Sequence, residues 1–528
     1  MKNSFFLVIP DQQKNPEQLL LFQEAALQNW LVELPTANPG LATRLLFDLI
    51  LQSNKLQMGT EMRLQALETL RPSYLVMEDY LRSRLSKIGF PKGENEQKIH
   101  SVLISLEKQF AIGYWIVVRD LTRKNGSWFQ GKNTALSIQR VMKGLSDVVI
   151  SHYIMSQTVP EWVWIDLHSL YKLGVKIKKD SVKIPDETSN TNNVSSIQDC
   201  YRQILLLSLA DPSGLMQKEI LQVYKFAAKL CSLVQLQPNL AQEQQLQCVI
   251  LIDEDQPPYF TSAAKVDFDS ATIYLGFEKL YKAIKRREKF VNESEARFSS
   301  AHVLKGDSGK LPIELLDYLE QRWLGVSLQG APFFSDRLDR YFSIGLNSTY
   351  ELQKASDQSA VDAKLQYRAV SASETALSCK FDKFGVLSIG SMVSFRKTNM
   401  PEHKRSLGVV TKLVVTKSDG TVNFEIAALT VQSHSANYLK LDATEEDIPQ
   451  KALIYGEDTE HGQKSFLIIE SFRFNDEDIL RLYLKDENFP IVLRNKKNVG
   501  LGYWQFECRQ MSETEPTTKT IKKGYDFI

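Results

Sequence analysis

Cysteine is scarce in this 528-residue chain: Cys200, Cys231, Cys248, Cys379 and Cys508 are odd in number and scattered. No two of them stand at the close spacing of a zinc site or redox motif, so a disulfide framework is excluded and reduced thiols of a cytoplasmic protein are expected. A charge surplus is also missing. Lys plus Arg total 64 against 63 for Asp plus Glu, a net charge of +1, so no global field draws the chain onto nucleic acid or an anionic membrane. Long hydrophobic runs are absent too. Phe5 to Pro10 is too short for a signal-peptide core and lacks a small-residue cleavage site. Phe110 to Val118 is about half of a bilayer-spanning helix and is closed by Arg119 and Asp120. Neither export nor membrane insertion is expected. The seven histidines (His100, His152, His168, His302, His403, His434, His461) contain no H-x-x-x-H pair and no His–Cys cluster, so no metal is expected. A nucleophile elbow is lacking as well; no catalytic residue can be named, and neither enzymatic activity nor a cofactor is expected.

What is present is an ordinary folding composition, 43% hydrophobic and 24% charged, long enough for about three domains. From about 15 to 325 the apolar residues recur at helical spacing. Ala42, Leu45, Leu46, Leu49 and Ile50 share one helix face behind an Asn38 cap and Pro39 at the first helical position. Met62, Ala66, Leu67 and Leu70 predict a helix that stops at Arg71-Pro72, because proline disfavours helix for the residue before it. Further periodic stretches at about 73–87, 95–123, 134–156, 161–174, 195–210, 213–235 and 312–325 suggest packed antiparallel helices. We read 1–180 as an N-terminal helical domain and 195–330 as a second helical subdomain. Cys248 to Ile252 and Ala271 to Leu275 give the second a short strand pair, and the polar segment Asp186 to Asn193 lies between the two as a loop or linker.

After about 335 the period falls to two. Leu407, Val409, Thr411, Leu413 and Val415 alternate, as do Val422, Phe424, Ile426 and Ala428, with Ser418-Asp419-Gly420 supplying the turn. Strand-like runs at about 386–395, 465–474, 479–484, 490–494 and 501–509 extend the pattern. The fold class is α+β: a multi-helix N-terminal half, then an antiparallel β-barrel at 335–436 and a second small β-barrel-like unit at 445–528, joined through the polar Asp442 to Pro449.

Three stretches resemble sites and fail on chemistry. Gly306-Asp307-Ser308-Gly309-Lys310 has two residues between its glycines where a phosphate-binding loop has four, and reads as a polar turn. Asp253-Glu254-Asp255 could gather oxygens around a hard cation, but beside Pro257-Pro258 it reads as a solvated turn. His168, one to two turns from Trp162 and Trp164 on a helix, reads as a half-buried core or interface residue.

One order of elements does carry a resemblance. Arg337-Leu338-Asp339-Arg340 precedes a strand at Tyr341 to Leu346. Tyr367 to Ala376 leads into another, and Ile389-Gly390-Ser391-Met392-Val393 and the 407–429 hairpin follow. This resembles the PilZ domain, a small barrel by which many bacterial proteins bind cyclic di-GMP. Trp30 to Pro35, Asn38-Pro39 and Arg63 to Pro72 are similar to the N-terminal region of large bacterial PilZ proteins, the FimW-type cyclic di-GMP receptors linked to type IV pili. The resemblance implies a non-enzymatic cytoplasmic regulator of surface motility. Cyclic di-GMP would be its ligand, a protein partner would be engaged through the helices, and Arg337, Arg340, Ser371 and Ser373 would be the ligand-binding residues. Guanidinium groups suit that task because they fork onto phosphate and stack on a base. Against the family pattern the arginines are one residue closer together, Asp336 and Asp339 partly neutralise them, and Ser371 and Ala376 stand where Asp/Asn and Gly are usual. If φ were positive at Ala376, the strand could not close on a base. A solvated or ion-paired turn for the two arginines, a degenerate adaptor acting only through protein contacts, and an enzyme with a dispersed site are the competing readings.

Overall fold

The computed structural model describes residues 5–511 other than 87–88, 124–130, 187–193, 239–245, 263–271, 300–308, 328–331, 355–364, 442–446 and 460–461. Most of the polar segment before Val194, the start of the Gly306 to Lys310 turn and the chain beyond 511 therefore lie outside the described residues.

The N-terminal half is helical. In Pro39–Lys55 the Asn38 side chain accepts from the Leu41 N–H, satisfying one of the donors that a helix start leaves open. At the other end Arg63, almost fully buried, donates to the carbonyls of Ser53 and Leu56 at 2.8 and 2.7 Å, a cation where the helix dipole is negative. The expected stop at Pro72 is not there. Thr60–Leu85 is one helix with Pro72 inside it. Leu67, Leu70, Tyr74, Met77 and Leu81 are all buried, and Tyr74 stacks on Phe110 with centroids 4.1 Å apart. That burial on both sides of Pro72 outweighs the hydrogen bond the imide cannot make.

Glu94–Arg123 is the one described helix long and apolar enough to cross a membrane. Leu103, Leu106, Phe110, Ile116 and Val117 on it are buried against the other helices. Gly131–Ile154, Val163–Lys176, Ile197–Leu209, Gln217–Leu230 and Ile313–Trp323 complete the packing. A single cluster of buried apolar side chains runs from Leu7 to Trp323 through both helical stretches. The expected strand pair forms, with Val249 opposite Tyr274, and it is the centre of a four-stranded sheet that also includes Gln235–Gln237 and Tyr259–Ser262.

Two closed six-stranded antiparallel barrels follow. The first comprises Arg340–Ile344, Tyr367–Ser371, Ala376–Cys379, Met392–Lys397, Ser406–Val415 and Val422–Thr430. Near its turn the hairpin keeps the expected alternation, Leu413 opposite Phe424 and Val415 opposite Val422, but register shifts between Val410 and Lys412 and between Leu407 and Gly408 break it further out, so that Val410 enters the barrel core and Thr411 is exposed. Gly420 turns it at φ +71°, a conformation costly for any side chain. The second barrel comprises His434–Lys440, Gln450–Thr459, Gly462–Ile469, Ile479–Leu484, Glu487–Gly500 and Tyr503–Gln510. Periodicity did not announce the helix Leu346–Lys354, whose Tyr350 hydroxyl donates to Asn437 at 2.6 Å and so fastens one barrel to the other.

The units are tied by backbone as well. Val415 N–H donates to Ser156 O at 2.8 Å, Phe90 and Leu387 exchange hydrogen bonds at 2.7 and 2.9 Å, and Leu501 N–H reaches Gly390 O at 2.8 Å.

Candidate functional site

Two turns meet at one end of the first barrel. Residues 334–340 form the first, entered by buried Phe334 and bent at Arg337, whose φ is +53°. Residues 371–376 form the second. Phe334 N–H donates to Glu374 O at 2.8 Å, and Ser371 Oγ donates to Leu338 O at 3.1 Å. The barrel therefore brings Arg337, Arg340, Ser371 and Ser373 into one neighbourhood, across 36 positions of sequence.

Their roles there differ. Arg337 is exposed, and its guanidinium has no partner among the described residues. Arg340 is only 3% exposed; it donates to Asp336 Oδ1 at 2.6 Å and to Leu338 O at 2.7 Å, with its guanidinium carbon 5.6 Å from the Phe334 ring centroid. This arginine builds the turn. Ser373 Oγ accepts from Thr375 N–H at 3.2 Å, a local turn contact that leaves it at the surface.

Ala376 corrects an expectation. It is not among the positive-φ residues and opens a strand paired with Glu425. The missing glycine therefore imposes no backbone strain here.

Two cations that sequence reasoning missed complete the site. Lys397 Nζ lies 2.8 Å from Asp336 Oδ2, and the Arg368 guanidinium forks onto Asp339 Oδ2 at 2.9 and 2.6 Å. Asp336 is held well below the ordinary carboxylate range, first by Lys397, then by Arg340 and the Leu338 N–H. Arg368, exposed, is pushed up by its hydrogen bond to Asp339. The signal existed in the period of two. Arg368 and Val370 flank buried Ala369 and are exposed, and Lys397 is the exposed end of an otherwise buried strand. The assembly can offer an anion the unpaired guanidinium of Arg337 flanked by two exposed, singly compensated cations.

The discarded motifs have structural uses. Asp255 caps the helix Val163–Lys176, accepting from the N–H groups of Trp162 and Ile165, and Asp253 pairs with Lys172. No group of three or more metal-ligating side chains occurs among the described residues. His168 is fully buried, not half-buried; its Nδ1 meets the Tyr201 hydroxyl at 2.7 Å and its Nε2 meets Gln256 O at 2.9 Å. Burial pushes its pKa down to about 4.

A helical region thus carries two closed β-barrels, the first with a basic turn at one end. Residues 25–242 match the family model for the N-terminal domain of the cyclic-di-GMP receptor FimW. The cyclic-di-GMP receptor FimW of Pseudomonas aeruginosa is 25% identical over 312 residues, 58% of this chain and 50% of that protein. The match spans about half the length of that relative. The similarity to FimW-type receptors read from the helical motifs is thus borne out. Among solved structures, the c-di-GMP-dependent transcription regulatory factor MrkH aligns with 34% of this chain and 78% of its own at 8% identity. Its TM-score is 0.14, too slight a likeness to carry an argument.

Proposed function

We propose that this chain is a non-enzymatic cytoplasmic regulator of the PilZ type, which binds cyclic di-GMP at the basic turn of its first barrel. Through its helical half it would engage a protein of the surface-motility machinery, such as the type IV pilus. The observation that carries the reading is the junction of the arginine-bearing and serine-bearing turns, on a chain whose helical half is similar to a cyclic-di-GMP receptor. Arg337 meets the phosphate; Arg368 and Lys397 exchange their carboxylates for it or add to its field; Ser371 and Ser373 line the approach. A near-neutral chain with five unpaired thiols suits the cytoplasm.

The adaptor reading has an observation of its own: Arg340 and Ser371 are both spent within the protein. Isothermal titration of the full chain with cyclic di-GMP separates the two. Binding that weakens at least tenfold in Arg337→Gly supports the receptor. A folded wild type that gives no heat leaves the adaptor. Cross-linking of the helical half in the native cell tests for the partner, and capture of no pilus or motility component would remove that part of the proposal.

A further inference from the structure

A cavity lies where the helical region and both barrels meet, with a volume of about 430 Å³, within the range of small-molecule sites. Each unit supplies part of its wall. Arg322 comes from the helix Ile313–Trp323, Lys412 from the first barrel and Lys497 from the second. Between them the lining is apolar, with Phe298, Tyr318, Val409, Ala427, Leu429 and Val499.

The charges do not cancel. Asp211 serves both Arg322 and Lys412, at 3.2 and 3.0 Å, and Glu425 stands 4.0 Å from Lys412. Lys497 is exposed and has no partner among the described residues. Arg322 is 9% exposed, and its Nε has no hydrogen-bond partner there either. Arg297, which also lines the cavity, is met by Glu219 at 2.8 Å. Four cations thus stand against the carboxylates of Glu219, Asp211 and Glu425, one positive charge in surplus, and a buried guanidinium N–H is left unmet, an arrangement that favours an anion.

The wall is also preorganised. Tyr318 lies between two guanidinium groups, with Arg297 4.9 Å and Arg322 5.2 Å from its ring centroid. Its hydroxyl donates to Asp211 O at 2.8 Å. Asn498 accepts from Phe298 N–H at 3.2 Å and donates to Gly500 O and Tyr503 O, which fixes the end of the strand Glu487–Gly500 that carries Lys497.

We infer that this cavity is a second nucleotide site, taking a phosphodiester between purines. One phosphodiester charge would lie on Arg322, Lys412 and Lys497, and a base against the apolar wall; GpG presents one such group, and cyclic di-GMP would place one of its two there. A phosphodiester matches a surplus of one charge, and a planar base suits a narrow apolar wall with guanidinium groups along it. The site is separate from the basic turn. Arg340 pairs with Lys397, whereas Val409 pairs with Met392 at the other end of the same strand, about 16 Å away at ~3.3 Å per residue. Because its walls belong to three units, an occupant would hold them together, which gives the protein a means of coupling the ligand to domain arrangement.

This inference rests on the receptor reading only for its first probe. The 528-residue chain is titrated with cyclic di-GMP and, separately, with the linear dinucleotide GpG. Wild type, Lys497→Glu, Arg322→Gln and Arg337→Gly are compared, with circular dichroism to establish folding. We expect two binding components for cyclic di-GMP, one lost in Arg337→Gly and the other weakened at least tenfold in Lys497→Glu and Arg322→Gln. If cyclic di-GMP does not bind but GpG does, and Lys497→Glu weakens it, the cavity stands while the receptor reading falls. If Lys497→Glu, whose side chain the fold does not use, leaves every isotherm unchanged, the cavity is not a nucleotide site. Loss of all components in Arg337→Gly alone would overturn the second site and keep the first. A wild type that binds neither probe overturns both.

Discussion

Arg340 and Asp336 close the basic turn on itself, guanidinium to carboxylate at 2.6 Å, with the arginine buried and the aspartate also held by Lys397 at 2.8 Å. The pair divides the two arginines of the motif between different tasks, one internal and one outward.

Replacing each arginine should therefore have opposite consequences. Arg340→Ala strands Asp336 against one remaining cation and unmakes the donors to Leu338 O. We expect a loss of about 2 kcal/mol, from charge-assisted hydrogen bonds worth about 1.5–3 kcal/mol each with partial exposure of the carboxylate. Arg337→Gly removes an exposed side chain and relaxes a φ of +53°, so stability should stay level or rise by up to about 1 kcal/mol. Urea denaturation of the two variants checks the order, and equal losses would mean that Arg337 too is structural.

Restoring the family's residues at the serine turn should fail. Ala376→Gly relieves no strain, because φ there is not positive, and it loosens a strand start at a cost of about 0.5–1 kcal/mol. Ser371→Asp replaces a hydroxyl that donates to Leu338 O with a carboxylate that cannot. The double variant is expected to be less stable, with no gain in affinity for cyclic di-GMP by titration. Tighter binding would show that the turn rearranges around its ligand.

Pro72→Ala should stabilise the helix Thr60–Leu85. The proline is exposed and contributes no packing, while alanine restores an N–H in the middle of the helix. A gain of about 1–3 kcal/mol is expected, toward the ~3 kcal/mol that proline costs in a helix interior. A higher urea midpoint with unchanged slope is the readout. A lower one would mean that the neighbouring packing is built around the imide.

Acid sensitivity should centre on buried histidine. His168 titrates near 4 when folded against an ordinary value of 6.5, so the unfolded chain binds the proton more readily. Its contribution is fully present above pH 6.5 and is lost as pH falls from there toward 4. A shift of that size is on the order of 3 kcal/mol. Burial also lowers the pKa of His100 and His152, adding to the same slope. Glu78 acts the other way. Burial raises it to about 7, so its contribution is complete below about pH 4.5 and fades as pH rises through 7. His168→Gln keeps a donor and an acceptor for Tyr201 and Gln256, and should flatten stability between pH 4 and 6.5 in a urea series. An unchanged slope would assign the effect elsewhere.

Much of the architecture was legible in local pattern. The helices after Asn38, the hairpin around Gly420 and the change of period near 335 are properties of neighbouring residues, governed by propensity, capping and alternation. Pro72 was misread because a local rule against proline was set against burial of Leu70 and Tyr74, which no local window contains. The helix Leu346–Lys354 escaped for a related reason: what holds it is Tyr350 on Asn437 and Lys451 on Glu351, contacts from another barrel.

The site shows the same division. The order of elements, through its resemblance to the PilZ domain, brought Arg337, Arg340, Ser371 and Ser373 forward as charged and small polar residues near two strand ends. Only the closed barrel decided that Arg340 turns inward onto Asp336, that Ala376 sits in relaxed strand geometry, and that Arg368 and Lys397 join the turn. The three-walled cavity of Arg322, Lys412 and Lys497 had no trace in the sequence. Its members lie 85 or more residues apart, and a net charge of +1 for the whole chain conceals a local surplus that appears only when distant segments are brought within Coulombic reach.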